Sequence, residues 1–276
     1  MGERLFLTSR LLSAAGVVHG FSVRTGGVSR GPYASLNLGR GVGDDPAAVE
    51  ENLRRLAEAA GLGGAQTFAS VHQVHGDRVM GAARGAAMTE IFAQSGGGEA
   101  AATPEQDGPA RADAVVALEP GVAAAVRVAD CVPVLLYAPD RGLAAAVHSG
   151  WRGARAAIAG RGVRALQHVS GADPARMLAA VGPCIERCCY EVGQDLAALF
   201  RSLFGPEAAD DPATTAKPHL DLRFCVESAL RSAGVRQERI EHAGGCTSCD
   251  ISACFSHRRD RGTTGRHLAF AESRTP

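Results

Sequence analysis

The 276-residue sequence predicts an α+β fold, a single domain of mixed β-sheets flanked by helices. Three observations lead there. Four short apolar runs follow one another between residues 112 and 150, separated by turn signals. Helical stretches lie before and after them, but strands and helices alternate only loosely, which argues against a doubly wound parallel sheet. No repeat and no clear linker divides the chain, so one domain over residues 1–276 is expected.

The elements follow in order. Residues 5–24 read as a short strand pair running into "RTGGVSRGPYASLNLG". That segment is a loop by its Gly, Ser and Asn content, and long glycine-bearing loops inside domains often serve function. "DDPAAVEENLRRLAEAAGL", residues 44–62, reads as a helix capped by Asp44 or Asp45, with Pro46 in its first turn and Gly61 as its stop. Val49, Leu53 and Leu56 form its buried stripe. "TFASVHQVHGDRVM" alternates like a strand. Residues 81–110, rich in Ala, Gly and Glu, are expected to form a mobile surface insertion without chemistry.

"ADAVVAL", "GVAAAVRVAD", "CVPVLLYAP" and "GLAAAVHSG" are expected as consecutive strands of one buried sheet. "WRGARAAIAGRGVRALQHVSG" reads as a helix that starts directly after His148. "MLAAVGPCI" is a strand and "GQDLAALFRSLFG" a helix, and "HLDLRFCVESALRSAGV" passes from extended to helical. The tail "GGCTSCDISACFSHRRDRGTTGRHLAFA" mixes turns with a final strand.

The 29 basic and 29 acidic residues cancel, so global charge offers nothing to nucleic acid or to an anionic membrane. Arg10 interrupts the first apolar run, against a secretory signal, and no run has the length of a membrane span. A cytoplasmic location is expected. In a reducing compartment the eight cysteines mean packing, metal binding or catalysis rather than disulfides.

The chemistry concentrates in "ADCVPVLLYAPDRGLAAAVHSGWRG". If the turn at 139–142 closes a hairpin, Cys131 and His148 stand at matching strand ends. A third metal ligand is available from "VHQVHG", at His72 or His75, of which a strand would turn only one towards the ion. A His, Cys, His set with an open position suits Zn²⁺, and Cu²⁺ less specifically. Asp130 is the nearest candidate for proton transfer, or else orients a ligand. Arg152, at the helix start after His148, and Arg24, on the glycine loop, are candidates to hold an anion. "CTSC", with Cys246 and Cys249, lacks a visible partner pair, and the adjacent Cys188 and Cys189 have the wrong spacing for a zinc knuckle. These four are expected to be free thiols near a loop. Cys184 is a nucleophile candidate without an identifiable base.

The motifs together resemble the YfiH family, also called laccase-domain or polyphenol oxidase proteins. The resemblance rests on "HGFSVRTGGVSRGPYASLNLG", "VHQVHG", "ADAVV", "VRVADCVPVLLY", "AAVHSGWRG", "GPCIERCCYEV", "HLDL" and "GGCTSCD…CFSHRRDRGTTGRHLAF", in order from about residue 19 to residue 270. It implies an α+β domain holding one zinc through a histidine, a cysteine and a histidine. The matching positions are His75, in "QVHG", Cys131, in "ADC", and His148, in "HSGWRG". Arg24 and Asn37 match segments that line the family's pocket. His257, in "FSHRRD", stands where the family usually has an aromatic residue.

The resemblance also implies activity. Relatives phosphorolyse adenosine, inosine and methylthioadenosine and deaminate adenosine, with purine nucleosides and phosphate as partners. The family's older assignment is copper-dependent phenol oxidation. A multicopper oxidase needs about ten histidine and cysteine ligands, by extension of what each copper takes. This chain has nine histidines without H-x-H pairs, which favours the zinc enzyme. A third reading has Cys131 acting covalently in a cysteine hydrolase, an amidase or a peptidoglycan-precursor quality factor.

Overall fold

Period-two runs of Val, Leu and Ala build two sheets, and helices cover their outer faces. The computed structural model describes residues 4–64, 67–92 and 110–275. The chain begins with β1 (Phe6–Leu7), α1 (Arg10–Ala14) and β2 (His19–Ser22). After a long loop come α2 (Pro46–Ala59), β3 (Phe68–Ala69), β4 (Val79–Ala82) and β5 (Thr89–Phe92). The middle supplies β6 (Ala114–Ala117), β7 (Ala123–Val128), β8 (Val132–Ala138), β9 (Leu143–Ser149), α3 (Trp151–Arg155) and α4 (Ile158–Ser170). Then follow β10 (Leu178–Val181), α5 (Gln194–Phe204), α6 (Leu222–Ser232), β11 (Ile240–His242) and β12 (His267–Glu272).

A seven-stranded mixed sheet runs β11-β10-β8-β9-β6-β4-β5, and a five-stranded one runs β1-β2-β12-β7-β3. Alternation along β8 sets how they stack. Val134, Leu136 and Ala138 pack with Val163 and Leu166 of α4 and Val226 and Leu230 of α6. Leu135 and Tyr137 point the other way and meet Val126 and Ala269 of the five-stranded sheet. The outer face of that second sheet, with Ala125 and Phe270, is covered by Val49, Leu53 and Leu56 of α2. The layers are therefore helix, sheet, sheet, helix, within the expected α+β class. Asp45 caps α2 by accepting from the Ala47 N–H, as its position before Pro46 predicts.

The hairpin that matters most forms as expected. β8 and β9 pair antiparallel, with Val132 opposite Ser149 and Pro133 opposite His148. The Arg141 and Gly142 N–H groups donate to the Ala138 carbonyl at 3.1 and 2.9 Å, and Gly142 takes the left-handed φ of 65° that the turn needs. Cys131 thus precedes β8, and His148 lies near the end of β9.

Four expectations need correction. "TFASVHQVHGDRVM" is not one strand: β3 belongs to the five-stranded sheet and β4 to the seven-stranded one, and the segment between them is a loop. β7 leaves the sheet of its neighbours to pair with β12 and β3, a choice invisible in an apolar run buried on both faces. The helix after His148 breaks at Ala157, whose φ of 55° and ψ of 41° are left-handed, into α3 and α4. The start of the expected 81–110 insertion belongs to the fold: β4 and β5 form an antiparallel pair and Ile91 and Phe92 pack against the helix-side core, while 93–109 lie outside the described residues. The short elements α1 and β11 were not expected from the pattern.

Leu136 is fully buried between β8 and the helices. Leu136→Ala is expected to lower unfolding free energy by about 2–5 kcal/mol in urea titrations, the range for a cavity left at a rigid site. A loss below about 1 kcal/mol would contradict this packing.

Candidate functional site

A buried carboxylate assembles the site. Asp113, immediately before β6, is fully buried. Its carboxylate accepts the N–H groups of Val74, His75 and Gly76 at 3.3, 2.9 and 2.6 Å. These bonds bend the β3–β4 loop around one anion and hold His75 in left-handed backbone at φ 59°. The same carboxylate takes the Nδ1–H of His148 at 2.8 Å. That fixes the imidazole tautomer and leaves Nε2 to face Cys131. Asp113 lies in the "ADAVV" motif, but sequence reasoning gave it no role. A buried aspartate ahead of an apolar strand was the available signal.

The ligand atoms of His75, Cys131 and His148 all lie within 4.8 Å of one another. The two imidazole rings meet edge to face, with centroids 4.9 Å apart. Gly150 permits this approach, because a Cβ there would sit 3.0 Å from both the Cys131 Sγ and the His75 Cδ2. Burial by itself pushes the Cys131 thiol up, but the facing His148 and His75 outweigh it and bring it down to about 6. Burial likewise pushes His148 down, and Cys131 and Asp113 together raise it to about 10. A ready thiolate, an imidazole aimed by a carboxylate and a second imidazole fit a metal with a vacant position. Of the two histidines left open by the sequence, His75 joins the cluster; His72 makes a bridge to Arg111.

The centre lies at the wall of a cavity of about 550 Å³. Val71, Val128, Ile185 and Tyr190 give it apolar surface. Arg40, Arg127, Arg258 and Arg266 give it positive charge. Arg127 is held by the Leu38 carbonyl at 2.7 Å and by Ser70 Oγ at 2.9 Å. Burial and then Arg40 lower it to about 10, so it remains a cation at neutral pH. Burial pushes Tyr190 up to about 12, which keeps its hydroxyl neutral and able to donate.

The sequence-predicted substrate residues lie elsewhere. Arg24 is bound to the Ala34 carbonyl at 2.7 Å and stacks over Phe255. Asn37 is fully buried, donating to Asp44 at 2.8 Å and accepting from the Gly39 and Arg266 N–H groups. Arg152 stacks on Trp151 at 4.4 Å. None of the three lines the cavity. The break at Ala157 also cuts α3 to five residues, too short for the expected helix-end anion site. Asn37 acts one step removed, since it holds the backbone of Arg266. Spacing could not reveal the four cavity arginines, which come from three segments: the loop before α2, β7, and the loop between β11 and β12.

Asp130 does line the cavity, but its carboxylate is occupied. Thr247 Oγ1 donates to one oxygen at 2.6 Å and the Arg258 N–H to the other at 2.7 Å. These bonds hold Asp130 at φ 90°, a left-handed setting that turns the chain into Cys131. Cys184 is fully buried, and burial pushes its thiol up to about 12, which removes it as a nucleophile. Cys188, Cys189, Cys246 and Cys249 are free and lie in loops, as expected, but the two pairs meet in one cluster, the partnership that the spacing did not show.

Residues 18–274 match the family described as multi-copper polyphenol oxidoreductase laccase. The chain belongs to this laccase-like family. It is 38% identical over 261 residues to the purine nucleoside phosphorylase YlmD of Geobacillus stearothermophilus, covering 93% of this chain and 90% of the relative. It is 40% identical over 255 residues to a purine nucleoside phosphorylase of Deinococcus radiodurans, covering 92% and 88%. The crystal structure of the Bacillus licheniformis hypothetical protein YfiH superposes with a TM-score of 0.84 at 30% identity, covering 98% and 97%. Four histidines outside the cluster and the cavity lining are engaged elsewhere. His19 bonds the Ser9 and Val17 backbone, His267 the Phe255 backbone, His219 Asp210 and His242 Glu227.

In metal-free protein, Cys131 alkylation by iodoacetamide is expected to rise with pH through a midpoint near 6, because the thiolate is lost only below that value. Mass spectrometry of the modified peptide reads it. A midpoint near 9, the ordinary thiol value, would mean that His148 does not hold the thiolate.

Proposed function

We propose that this protein is a zinc-dependent purine nucleoside phosphorylase that also deaminates adenosine. The observation that carries the reading is the His75, Cys131, His148 cluster opening onto a cationic cavity of nucleoside size. The names of the relatives agree with it. Adenosine, inosine and methylthioadenosine are its substrates, with phosphate. The soft thiolate and two imidazoles favour zinc over copper. Zinc held there supplies a Lewis acid.

In phosphorolysis a phosphate oxygen bonds to the anomeric carbon as the carbon–nitrogen bond to the purine breaks. The purine leaves with that electron pair and takes up a proton. Ribose 1-phosphate is the other product. Arg127 and Arg266, with Arg40 and Arg258 beside them, are the groups to hold phosphate, in place of Arg24 and Arg152. Tyr190 and the apolar wall take the nucleoside. Asp113 aims His148, and Asp130 positions Cys131 rather than moving a proton, since both its oxygens accept hydrogen bonds. In deamination, water adds to C6 of adenosine and ammonia leaves. None of the eight cysteines is in a disulfide, which suits a cytoplasmic setting. No helix among the described residues is long and apolar enough to cross a membrane.

A second reading has one observation behind it. Cys131, His148 and Asp113 also have the order of a thiol nucleophile, its base and an orienting carboxylate. Rapid inactivation of zinc-loaded protein by iodoacetamide at Cys131 would favour this hydrolase.

Inosine with phosphate is expected to yield hypoxanthine, and inosine alone to yield none. Cys131→Ala and His148→Ala are each expected to reduce kcat/KM by at least about 100-fold, about 2.7 kcal/mol of transition-state stabilisation. Adenosine is expected to release ammonia without phosphate. Parental activity in both variants would overturn the site, and absence of hypoxanthine would overturn the reaction.

A further inference from the structure

The cluster of Cys188, Cys189, Cys246 and Cys249 has no part in the chemistry above. The first pair lies in the loop between β10 and α5, the second in the loop between β11 and β12. The sulfurs of Cys189 and Cys249 are 3.4 Å apart, those of Cys188 and Cys249 3.7 Å, and those of Cys188 and Cys189 3.8 Å. All four lie within 4.8 Å of one another. A disulfide would need about 2.05 Å. A tetrahedral ion with zinc–sulfur bonds of about 2.3 Å sets its sulfurs about 3.8 Å apart.

Other features point the same way. Cys246 and Cys249 have the C-x-x-C spacing of structural zinc sites. The Cys246 sulfur accepts the Glu186 N–H at 3.4 Å, and the Ser248 and Cys249 N–H groups also bond to it. Donors of that kind stabilise a thiolate before any ion arrives. Cys246 is buried, whereas Cys188 and Cys249 are exposed, so an ion has a way in.

We propose that Cys188, Cys189, Cys246 and Cys249 form a second, structural zinc site that staples the β10–α5 loop to the β11–β12 loop. Four protein thiolates close the coordination sphere, so this ion takes no substrate. Its effect on the cavity is positional. Tyr190, next to Cys189, lines the cavity. Thr247, next to Cys246, bonds the Asp130 carboxylate, and its N–H donates to the Cys184 carbonyl at 2.9 Å. The Ile185 N–H donates to the Asp130 carbonyl at 2.9 Å. Both stapled loops therefore support the strained residue beside Cys131.

Metal analysis of zinc-grown, desalted protein tests this without any assay of activity. The parent chain is expected to hold about two zinc ions, and His148→Ala to retain about one. Cobalt loaded into His148→Ala is expected to show sulfur-to-metal charge transfer and the intense visible bands of a tetrahedral thiolate site. Adding Cys249→Ser is expected to remove both the ion and those bands. One zinc per parent chain, lost entirely in His148→Ala, would overturn the proposal even if the cysteine variant failed to fold. Iron in place of zinc at the retained site, or a disulfide joining the two loops in protein purified under reducing conditions, would also overturn it.

Discussion

One carboxylate holds two members of the His75, Cys131, His148 cluster in relation to each other. Asp113 accepts three consecutive backbone N–H groups from the loop that carries His75 and the Nδ1–H of His148. A fully buried aspartate is costly unless its oxygens are satisfied, and here they are satisfied by the two elements that must meet. Cys131 completes the set through the β8–β9 pairing, which fixes its distance from His148. The electrostatics follow from the same contacts. Asp113 is held below the usual carboxylate range: burial raises it, and His148 with the backbone donors more than offsets this.

The fold serves that contact by bringing strand ends from two sheets to one place. β8 and β9 lie inside the seven-stranded sheet, buried on both faces. β7 and β12, from the other sheet, contribute Arg127 and the chain around Arg266 to the facing wall. The cavity therefore lies at a seam between the sheets and takes its lining from both. Gly150, between β9 and α3, keeps the seam narrow at the sulfur.

Local pattern and hairpin logic were enough to find the α+β class, the capped helix α2, the β8–β9 hairpin and the pair Cys131 and His148. These depend on neighbours in sequence. The choice of His75 over His72 came from motif resemblance, and the structure supplies its physical reason in the Asp113-bound loop. What stayed hidden depends on distant partners. An apolar run such as β7 does not say which of two sheets it joins. Arg24 is a candidate because it sits on a glycine loop and Asn37 by motif resemblance alone, yet their hydrogen bonds stitch that loop together. The four cavity arginines and the four-cysteine cluster are each gathered from segments far apart in the chain.

Asp113→Asn probes the central contact most directly, because it preserves shape while replacing one acceptor oxygen with a donor that faces backbone N–H or His148. Zinc affinity at the His75, Cys131, His148 centre, measured by competition with a chromophoric chelator on protein shown by circular dichroism to be folded, is expected to fall by about 10–100-fold. Affinity within about twofold of the parent, far inside the range that loss of an orienting partner produces, would contradict the account.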